Sequence, residues 1–175
     1  YAKRTDLSYT VKYLEADTGV ELAETLTVTN QTFQATVTEN AKEITGYVVD
    51  QASKSIEIDV AGNEIVFYYT KRADLQYTVN YYWNGTQEKV QPSDLFEDQV
   101  YLSEISLLPP AIEGYTPVNA QKAETITVLV EGVEVEQNAI NFYYYKNVTL
   151  TANSNKEAVY NGETQQVEGY TTSAD

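Results

Sequence analysis

The sequence predicts a strand-dominated α+β protein made of two tandem modules of one type, followed by a partial β segment. Sixteen of the 175 residues are Tyr, and Tyr, Val and Thr favour half-buried strands. Apolar and polar residues alternate in several places, which is the period of a strand. The segment YAKRTDLSYTVKY at residues 1–13 returns as YTKRADLQYTVNY at residues 69–81, which indicates an internal repeat.

The repeat extends beyond this opening segment. The same spacing carries Phe33 onto Tyr101 and the Gly-Tyr pair at 46–47 onto the pair at 114–115. The closing aromatic segments, FYYTKR from residue 67 and FYYYKN from residue 142, match at a spacing that is seven residues longer. The second copy therefore carries seven extra residues between its Gly-Tyr pair and its closing strand.

These matches predict the domain limits. Residues 1–6 are expected to be the tail of a preceding repeat, residues 7–73 the first module and residues 74–147 the second module with its insertion. Residues 148–175 are expected to be the truncated start of a third β domain, since they begin with an alternating strand pattern. We therefore expect the chain to be a piece of a longer array of repeats.

Each module is predicted to open with two strands joined by a turn. Tyr9, Val11 and Tyr13 share one face of the first strand. The turns are expected at residues 17–19 and at Asn84-Gly85, since Asn-Gly between strand patterns is a strong hairpin signal. The second strand of the first copy is expected over about residues 22–28.

The middle and the end of the module are less regular. Helical spacing of apolar residues over 33–44 predicts a short helix, although the many Thr residues weaken it. The end is predicted to be a hairpin, with a strand over 56–60, a turn at 61–63 and an apolar strand over 65–69 buried on both faces. In the second copy the extra residues lengthen this hairpin or its loop.

Composition excludes several classes of function. The chain contains no Cys, His or Met, which removes thiol nucleophiles, thiolate or imidazole metal sites and the usual general base. Its net charge of −15 repels nucleic acid and anionic lipid, and no apolar run is long enough to span a membrane. We therefore expect no enzyme, no nucleic-acid partner and no membrane insertion.

The assembled pattern resembles the mucin-binding-protein (MucBP) repeats of Gram-positive cell-surface proteins. The matching features are the opening YTVxY motif, the aromatic residue at Phe33 or Tyr101, the Gly-Tyr pair and the closing FYY before a basic residue. The resemblance covers residues 7–147 and implies tandem β-grasp (ubiquitin-like) modules in an elongated arrangement. Residues 148–175 resemble the start of an MBG-type or Ig-like surface repeat, through VYNG at 159–162 and VEGY at 167–170.

Aromatic residues near loops are the candidate ligand-binding residues. Trp83, Tyr82 and Tyr101 are selected because Tyr and Trp rings stack on the apolar face of a sugar while polar neighbours reach its hydroxyls. The alternative is that these rings fill a small core. For Tyr9, Tyr13, Tyr47 and Tyr68 the core is the expected role.

Carboxylates provide one candidate metal site. Asp94, Glu97 and Asp98 are clustered in the sequence, and hard cations such as Ca²⁺ require several oxygen ligands. The spacing matches no EF-hand loop, so the alternative is a solvated acidic face. No cofactor other than Ca²⁺ is suggested.

Two functions remain open from the sequence. The first is a non-catalytic adhesin module, anchored to the cell wall through other regions, that binds host mucin glycans or glycoproteins as a monomer within its array. The second is a passive stalk that projects a distal binding domain from the wall. Tandem repetition suits both, because an adhesin gains avidity from repeats and a stalk gains length.

Overall fold

The computed structural model describes residues 2–154, 164 and 169–173. The first copy of the repeat forms six strands. These are β1 (Leu7–Glu15), β2 (Glu21–Gln31), β3 (Thr36–Asn40), β4 (Tyr47–Val49), β5 (Ser53–Glu57) and β6 (Glu64–Lys71). The opening strand, the second strand and the turn between them are confirmed.

The second copy also forms six strands, and two further strands that pair antiparallel follow it. The strands are β7 (Leu75–Trp83), β8 (Asp94–Gln99), β9 (Glu104–Leu107), β10 (Tyr115–Pro117), β11 (Glu124–Thr127), β12 (Ala139–Lys146), β13 (Leu150–Ala152) and β14 (Tyr170–Thr172). The described residues contain no helix. The predicted α+β class with β-grasp modules is therefore wrong, and the described chain is all-β in several small sheets. Within the described ranges, no helix is long and apolar enough to cross a membrane.

The segment predicted to be helical is instead strand β3. Its residues 36–38 are Thr, Val and Thr, and β-branched side chains lose rotamer freedom in a helix but fit an extended chain. Strand β3 pairs antiparallel with β5, with Val37 opposite Ile56. Both side chains of this cross-strand pair pack against the buried core of the first copy.

The main sheet of the first copy has the order β2-β1-β6-β4. Its two central strands, the first and the last of the copy, run parallel, with Val11 opposite Ile65 and Tyr13 opposite Phe67. Alternate residues of both strands are buried, which the period-two pattern predicted for the first strand only. The buried cluster consists of Leu7, Tyr9, Val11, Tyr13, Ile58, Ile65, Phe67 and Tyr69.

The predicted closing hairpin is wrong. Strand β5 pairs with β3, whereas β6 pairs with β1 and β4. Strand β6 is central, but it is not buried on both faces, because Tyr68 remains 44% exposed while Phe67 is fully buried. The strand therefore alternates between buried and more exposed side chains, although its sequence is apolar at consecutive positions.

The second copy repeats this plan with sheet order β10-β12-β7-β8 and a separate pair β11-β9. One irregularity is repeated as well. Asn30 and Asp98 have φ angles of 59° and 56°, and each interrupts the register of the edge strand against the opening strand. Both residue types tolerate the left-handed region better than most, because a short polar side chain can bond locally.

An asparagine bracket is common to both copies. The Asn63 amide donates to the carbonyls of Ser8 at 3.1 Å and Asp59 at 2.8 Å, and its oxygen accepts from the Asp59 N–H. Asn138 does the same in the second copy, where its amide donates to Gln76 and Leu129. The bracket ties the start of the last strand to the first strand. The sequence analysis did not identify it.

The described chain separates into two compact units. The first holds Tyr1–Val79, Asp94–Ser106 and Thr125–Ile140, and the second holds Asn80–Ser93, Leu107–Glu124 and Asn141–Asp175. The predicted limits at residues 6, 73 and 147 remain predictions. The VYNG segment at 159–162 lies outside the described residues.

Within the first unit, the Gly-Tyr pair of the first copy meets the aromatic residue of the second. Tyr47 and Tyr101 form an edge-to-face pair with ring centroids 5.6 Å apart. A Cβ placed on Gly46 would overlap the Tyr101 ring. The Arg72 N–H donates to the Gly46 carbonyl at 2.9 Å, and the Tyr101 N–H donates to the Arg72 carbonyl at 2.8 Å. We call these four residues the repeat joint.

The repeat joint predicts an asymmetry between two glycines with the same φ of +79°. Replacing Gly114 by Ala should cost about 1–2 kcal/mol, the strain of a left-handed residue, because nothing lies within 4 Å of the new Cβ. Replacing Gly46 by Ala should cost about 1–3 kcal/mol more, because the Tyr101 ring must move. Urea unfolding of the two variants measures the difference. Equal decreases in the free energy of unfolding for the two variants would show that Gly46 is not packed against the Tyr101 ring.

The asparagine bracket predicts a large loss at a polar position. Asn138→Ala should destabilise the chain by about 3 kcal/mol, because three part-buried backbone groups lose their partner. The adjacent Gln137→Ala is the matched control and should change the free energy of unfolding by less than about 0.5 kcal/mol. A loss at Asn138 no greater than at Gln137 would show that the bracket contributes little.

Candidate functional site

Two tyrosine rings lie together on the outer side of the second unit. Tyr82 on β7 and Tyr143 on β12 have ring centroids 5.9 Å apart with an interplanar angle of 31°. Tyr143 is 40% exposed, and Tyr82 is half-buried. Residues of opposite parity on the same strands, Tyr81 and Phe142, are buried. Strand alternation therefore directs the pair outward.

A line of polar side chains lies next to the tyrosine pair. The Asn80 amide donates to Asn141 Oδ1 at 2.9 Å, and Ser93 Oγ donates to Asn80 Oδ1 at 2.6 Å. Lys89 Nζ in turn donates to Ser93 at 2.6 Å. These hydrogen bonds fix the orientation of both amides. We call Asn80, Tyr82, Asn141 and Tyr143 the outer platform.

The predicted candidate Trp83 follows Tyr82 at the end of β7 and is 43% exposed. Its position is fixed by the hairpin, because its N–H donates to the Glu88 carbonyl at 2.8 Å and its carbonyl accepts from Thr86. The structure therefore places two of the three predicted ligand-binding aromatics, Tyr82 and Trp83, beside each other in the chain on the second unit.

The third predicted aromatic, Tyr101, is elsewhere and only 7% exposed. It lies in the repeat joint, and its hydroxyl donates to Glu134 Oε1 at 2.7 Å. Burial, followed by the hydrogen bond to Glu134, raises the pKa of Tyr101 to about 12. A buried ring face cannot stack on a sugar, so the structure brings no support for Tyr101 as a ligand residue.

The predicted acidic cluster lies along the exposed edge strand β8. Asp94, Glu97 and Asp98 are all exposed, and Asp98 occupies the register irregularity. Among the residues that the structure describes, no group of three or more carboxylates is arranged to hold a metal ion. This arrangement therefore does not support the predicted Ca²⁺ site.

A cavity of about 240 Å³ adjoins Tyr143. Its lining residues include Asn84, Asn119 and Asn141, together with the Lys122–Glu124 pair and the apolar residues Pro109 and Val118. Larger cavities of about 540 and 690 Å³ lie in the first unit. The smaller one combines amides with an exposed ring, which suits a small polar ligand better.

The equivalent face of the first copy has different chemistry. Lys12 stands where the second copy has Asn80, and it pairs with Glu64 at 2.5 Å. Tyr68 stands where the second copy has Tyr143, and the Lys54 ammonium lies 5.4 Å from its ring centroid. Because an ion pair stands in the first copy where the second copy has the Asn80–Asn141 amide pair, the outer platform is a property of the second copy.

Sequence reasoning did not identify Asn80, Asn141 or Tyr143. Their signal is present in the repeat alignment, where Asn replaces Lys12 and Val66 of the first copy. Two amides that appear together at facing positions of neighbouring strands indicate a hydrogen-bonded pair. Tyr143 gives no such signal, because it belongs to the FYY segment that both copies share.

The comparisons with known proteins are of low similarity. No family model matches the chain, and curated proteins give no significant match. A type 2 repeat of the mucus binding protein MUB from Lactobacillus reuteri is 13% identical, covering 80% of this chain and 99% of that chain at a TM-score of 0.25. Mub-RV is 15% identical, covering 80% and 98% at a TM-score of 0.26. A mucus-binding repeat is thus among the structural neighbours, while membership of the MucBP family remains a prediction.

Buried tyrosines predict a loss of stability in alkali. The pKa values of Tyr9, Tyr101 and Tyr144 are each raised to about 12, mainly by burial. An unfolded Tyr has a pKa near 10, so the stabilisation is complete below about pH 10 and is lost as the pH rises towards 12. Urea unfolding at pH 8.5 and pH 11 should show the decrease.

The variant Tyr101→Phe isolates one of these groups. It should unfold at a lower urea concentration at pH 8.5, because the hydrogen bond to Glu134 is lost. Its further loss between pH 8.5 and pH 11 should be smaller than that of the parent chain. An identical pH dependence of the two proteins would show that Tyr101 does not contribute to the alkaline transition.

Proposed function

We propose that this chain is a non-catalytic repeat module of an extracellular surface protein, and that the second copy binds glycans at the outer platform. The observation that carries the proposal is the exposed Tyr82–Tyr143 pair beside two fixed amides. The proposed ligands are the glycans of mucins or other glycoproteins. The proposed location is the cell surface, with anchoring through regions outside this sequence.

The chemistry of the platform matches that of a sugar. One face of a hexose ring presents C–H groups, which pack on an aromatic ring, while its rim presents hydroxyl groups. Tyr143 supplies the exposed ring, and Asn141 supplies an amide next to it. Because Asn80 and Ser93 already orient Asn141 through hydrogen bonds, little side-chain freedom is lost when a hydroxyl binds.

A shallow, open site of this kind binds a single sugar weakly. Repetition compensates, because linked modules raise the effective concentration of each further site. The first copy lacks the amide pair, so the proposal assigns one platform to each pair of modules. Binding to a dense glycan surface then depends on several chains or several repeats that act together.

The repeat joint supports a stalk as the second candidate function. The contact of Gly46 and Tyr47 with Tyr101, together with the backbone hydrogen bonds of Arg72, restrains the first copy against the second. A restrained joint resists bending, which a spacer requires. The two functions are compatible, since a stalk module can also carry a platform.

Removing one ring tests glycan binding. Tyr143→Ala should weaken binding of the chain to immobilised mucin glycopeptides by about tenfold, because the exposed stacking surface is lost. The matched control is Tyr68→Ala, which removes the equivalent ring of the first copy at similar exposure, 44% against 40%. The control should bind like the parent chain.

Surface plasmon resonance on a dense glycopeptide surface provides the measurement, with circular dichroism to confirm that both variants fold. Parent and Tyr143→Ala chains that bind equally would exclude the outer platform. A parent chain that binds no glycan on a broad array would exclude the adhesin function and favour the stalk.

A further inference from the structure

We infer that the cavity beside Tyr143 selects neutral sugars that carry an acetamido group, such as N-acetylhexosamines. This inference rests on the proposed glycan-binding function and specifies its ligand class.

The position of the cavity makes it an extension of the outer platform. Two backbone hydrogen bonds fix its sides against β12. The Asn84 N–H donates to the Tyr144 carbonyl at 2.9 Å, and the Val118 N–H donates to the Tyr143 carbonyl at 2.9 Å. With about 240 Å³, it is smaller than the roughly 300–1,000 Å³ of drug-sized sites and is suited to one sugar residue. A sugar stacked on Tyr143 can therefore place one substituent in the cavity.

The amides of the cavity match an acetamido group. Asn84 and Asn119 are exposed, and within the described part of the chain neither side-chain amide has a hydrogen-bond partner. Each carries both a donor and an acceptor, and an acetamido group offers one of each in return. A hydroxyl also offers a donor and an acceptor, but both are on one oxygen atom. The N–H and C=O of an acetamido group lie on separate atoms and point in opposite directions, so the group can pair with two amides at once.

The charges of the cavity disfavour acidic sugars. Its one cation, Lys122, forms an ion pair with Glu124 at 3.2 Å, so the positive charge near the cavity is already balanced by a carboxylate. The net charge of −15 adds long-range repulsion of anions. Sialylated and sulfated sugars therefore should bind less well than neutral ones.

The apolar surface of the cavity accommodates the methyl group. Pro109 and Val118 contribute to its wall beside the amides, and burial of a methyl group against such side chains is favourable. A hydroxyl at the same place would lose water there without gaining an apolar contact. The combination of apolar wall and amides thus favours acetamido over hydroxyl.

Two trisaccharides that differ only at this substituent provide the test. Chitotriose carries acetamido groups where cellotriose carries hydroxyl groups, so binding of both to the full chain is measured by titration and NMR chemical-shift mapping. Chitotriose should bind about tenfold more tightly, which corresponds to one well-made polar contact and a buried methyl group. The same pair in the galactose series, N-acetylgalactosamine and galactose, covers the other ring configuration, and their sialylated and sulfated forms test the charge argument.

Variants locate the selectivity. Asn119→Ala should reduce the preference for chitotriose while leaving cellotriose binding unchanged, and Asn40→Ala, which removes an exposed amide of the first copy, should change neither. Equal affinity for both members of every pair would overturn this inference while the glycan-binding function stands. Absence of binding to any of these sugars and to glycopeptides would overturn the function itself. Tighter binding of the acidic forms would overturn the charge argument and the inference with it.

Discussion

The parallel pairing of the first and last strands of a repeat determines the rest of its structure. Strand β1 lies beside β6 with Val11 opposite Ile65, and parallel strands cannot be joined by a tight turn. The intervening residues must cross the molecule, and they do so as strands at the edges and in a separate small sheet. The crossing contains no helix because its residues 36–38 are β-branched and pair with β5. The asparagine bracket closes the arrangement by tying Asn63, at the start of the last strand, to the carbonyl of Ser8.

This pairing leaves the outer face of the sheet free to vary. The buried face repeats Tyr, Val and Phe in both copies because a small core tolerates little change in volume. The outer face carries the Lys12–Glu64 ion pair in the first copy and the Asn80–Asn141 amide pair in the second. The two copies therefore keep one fold while their outer faces differ in chemistry. Replacing the ion pair of the first copy by the amide pair of the second should change the free energy of unfolding little, since exposed ion pairs contribute little to stability.

The repeat joint shows how neighbouring modules change the role of one residue. Phe33 in the first copy and Tyr101 in the second occupy the same place in the alignment and make the same backbone hydrogen bond, to Arg4 and to Arg72. Only Tyr101 meets a Gly-Tyr pair from the preceding copy, which leaves it 7% exposed. The segment between Leu129 and Asn138, which is longer than its counterpart between Asp59 and Asn63, contributes Glu134, whose carboxylate accepts a hydrogen bond from the Tyr101 hydroxyl. An insertion that looked like loop variation thus completes the packing around the joint.

The sequence by itself determined the repeat, the strand content and the inward face of each opening strand, because period-two alternation and a direct repeat are local signals. It also placed Tyr82 and Trp83 near a turn. Tertiary structure decided the absence of helix in the described residues, the partner of β5, the burial of Tyr101 and the meeting of Tyr82 with Tyr143. These depend on which distant strands pair, and residues 61 positions apart come together only after that choice, as Asn80 and Asn141 do. The alternation that predicts a strand lies within a few consecutive residues, so the sequence shows it directly. The partner of that strand lies far away in the sequence, so only the tertiary structure shows it.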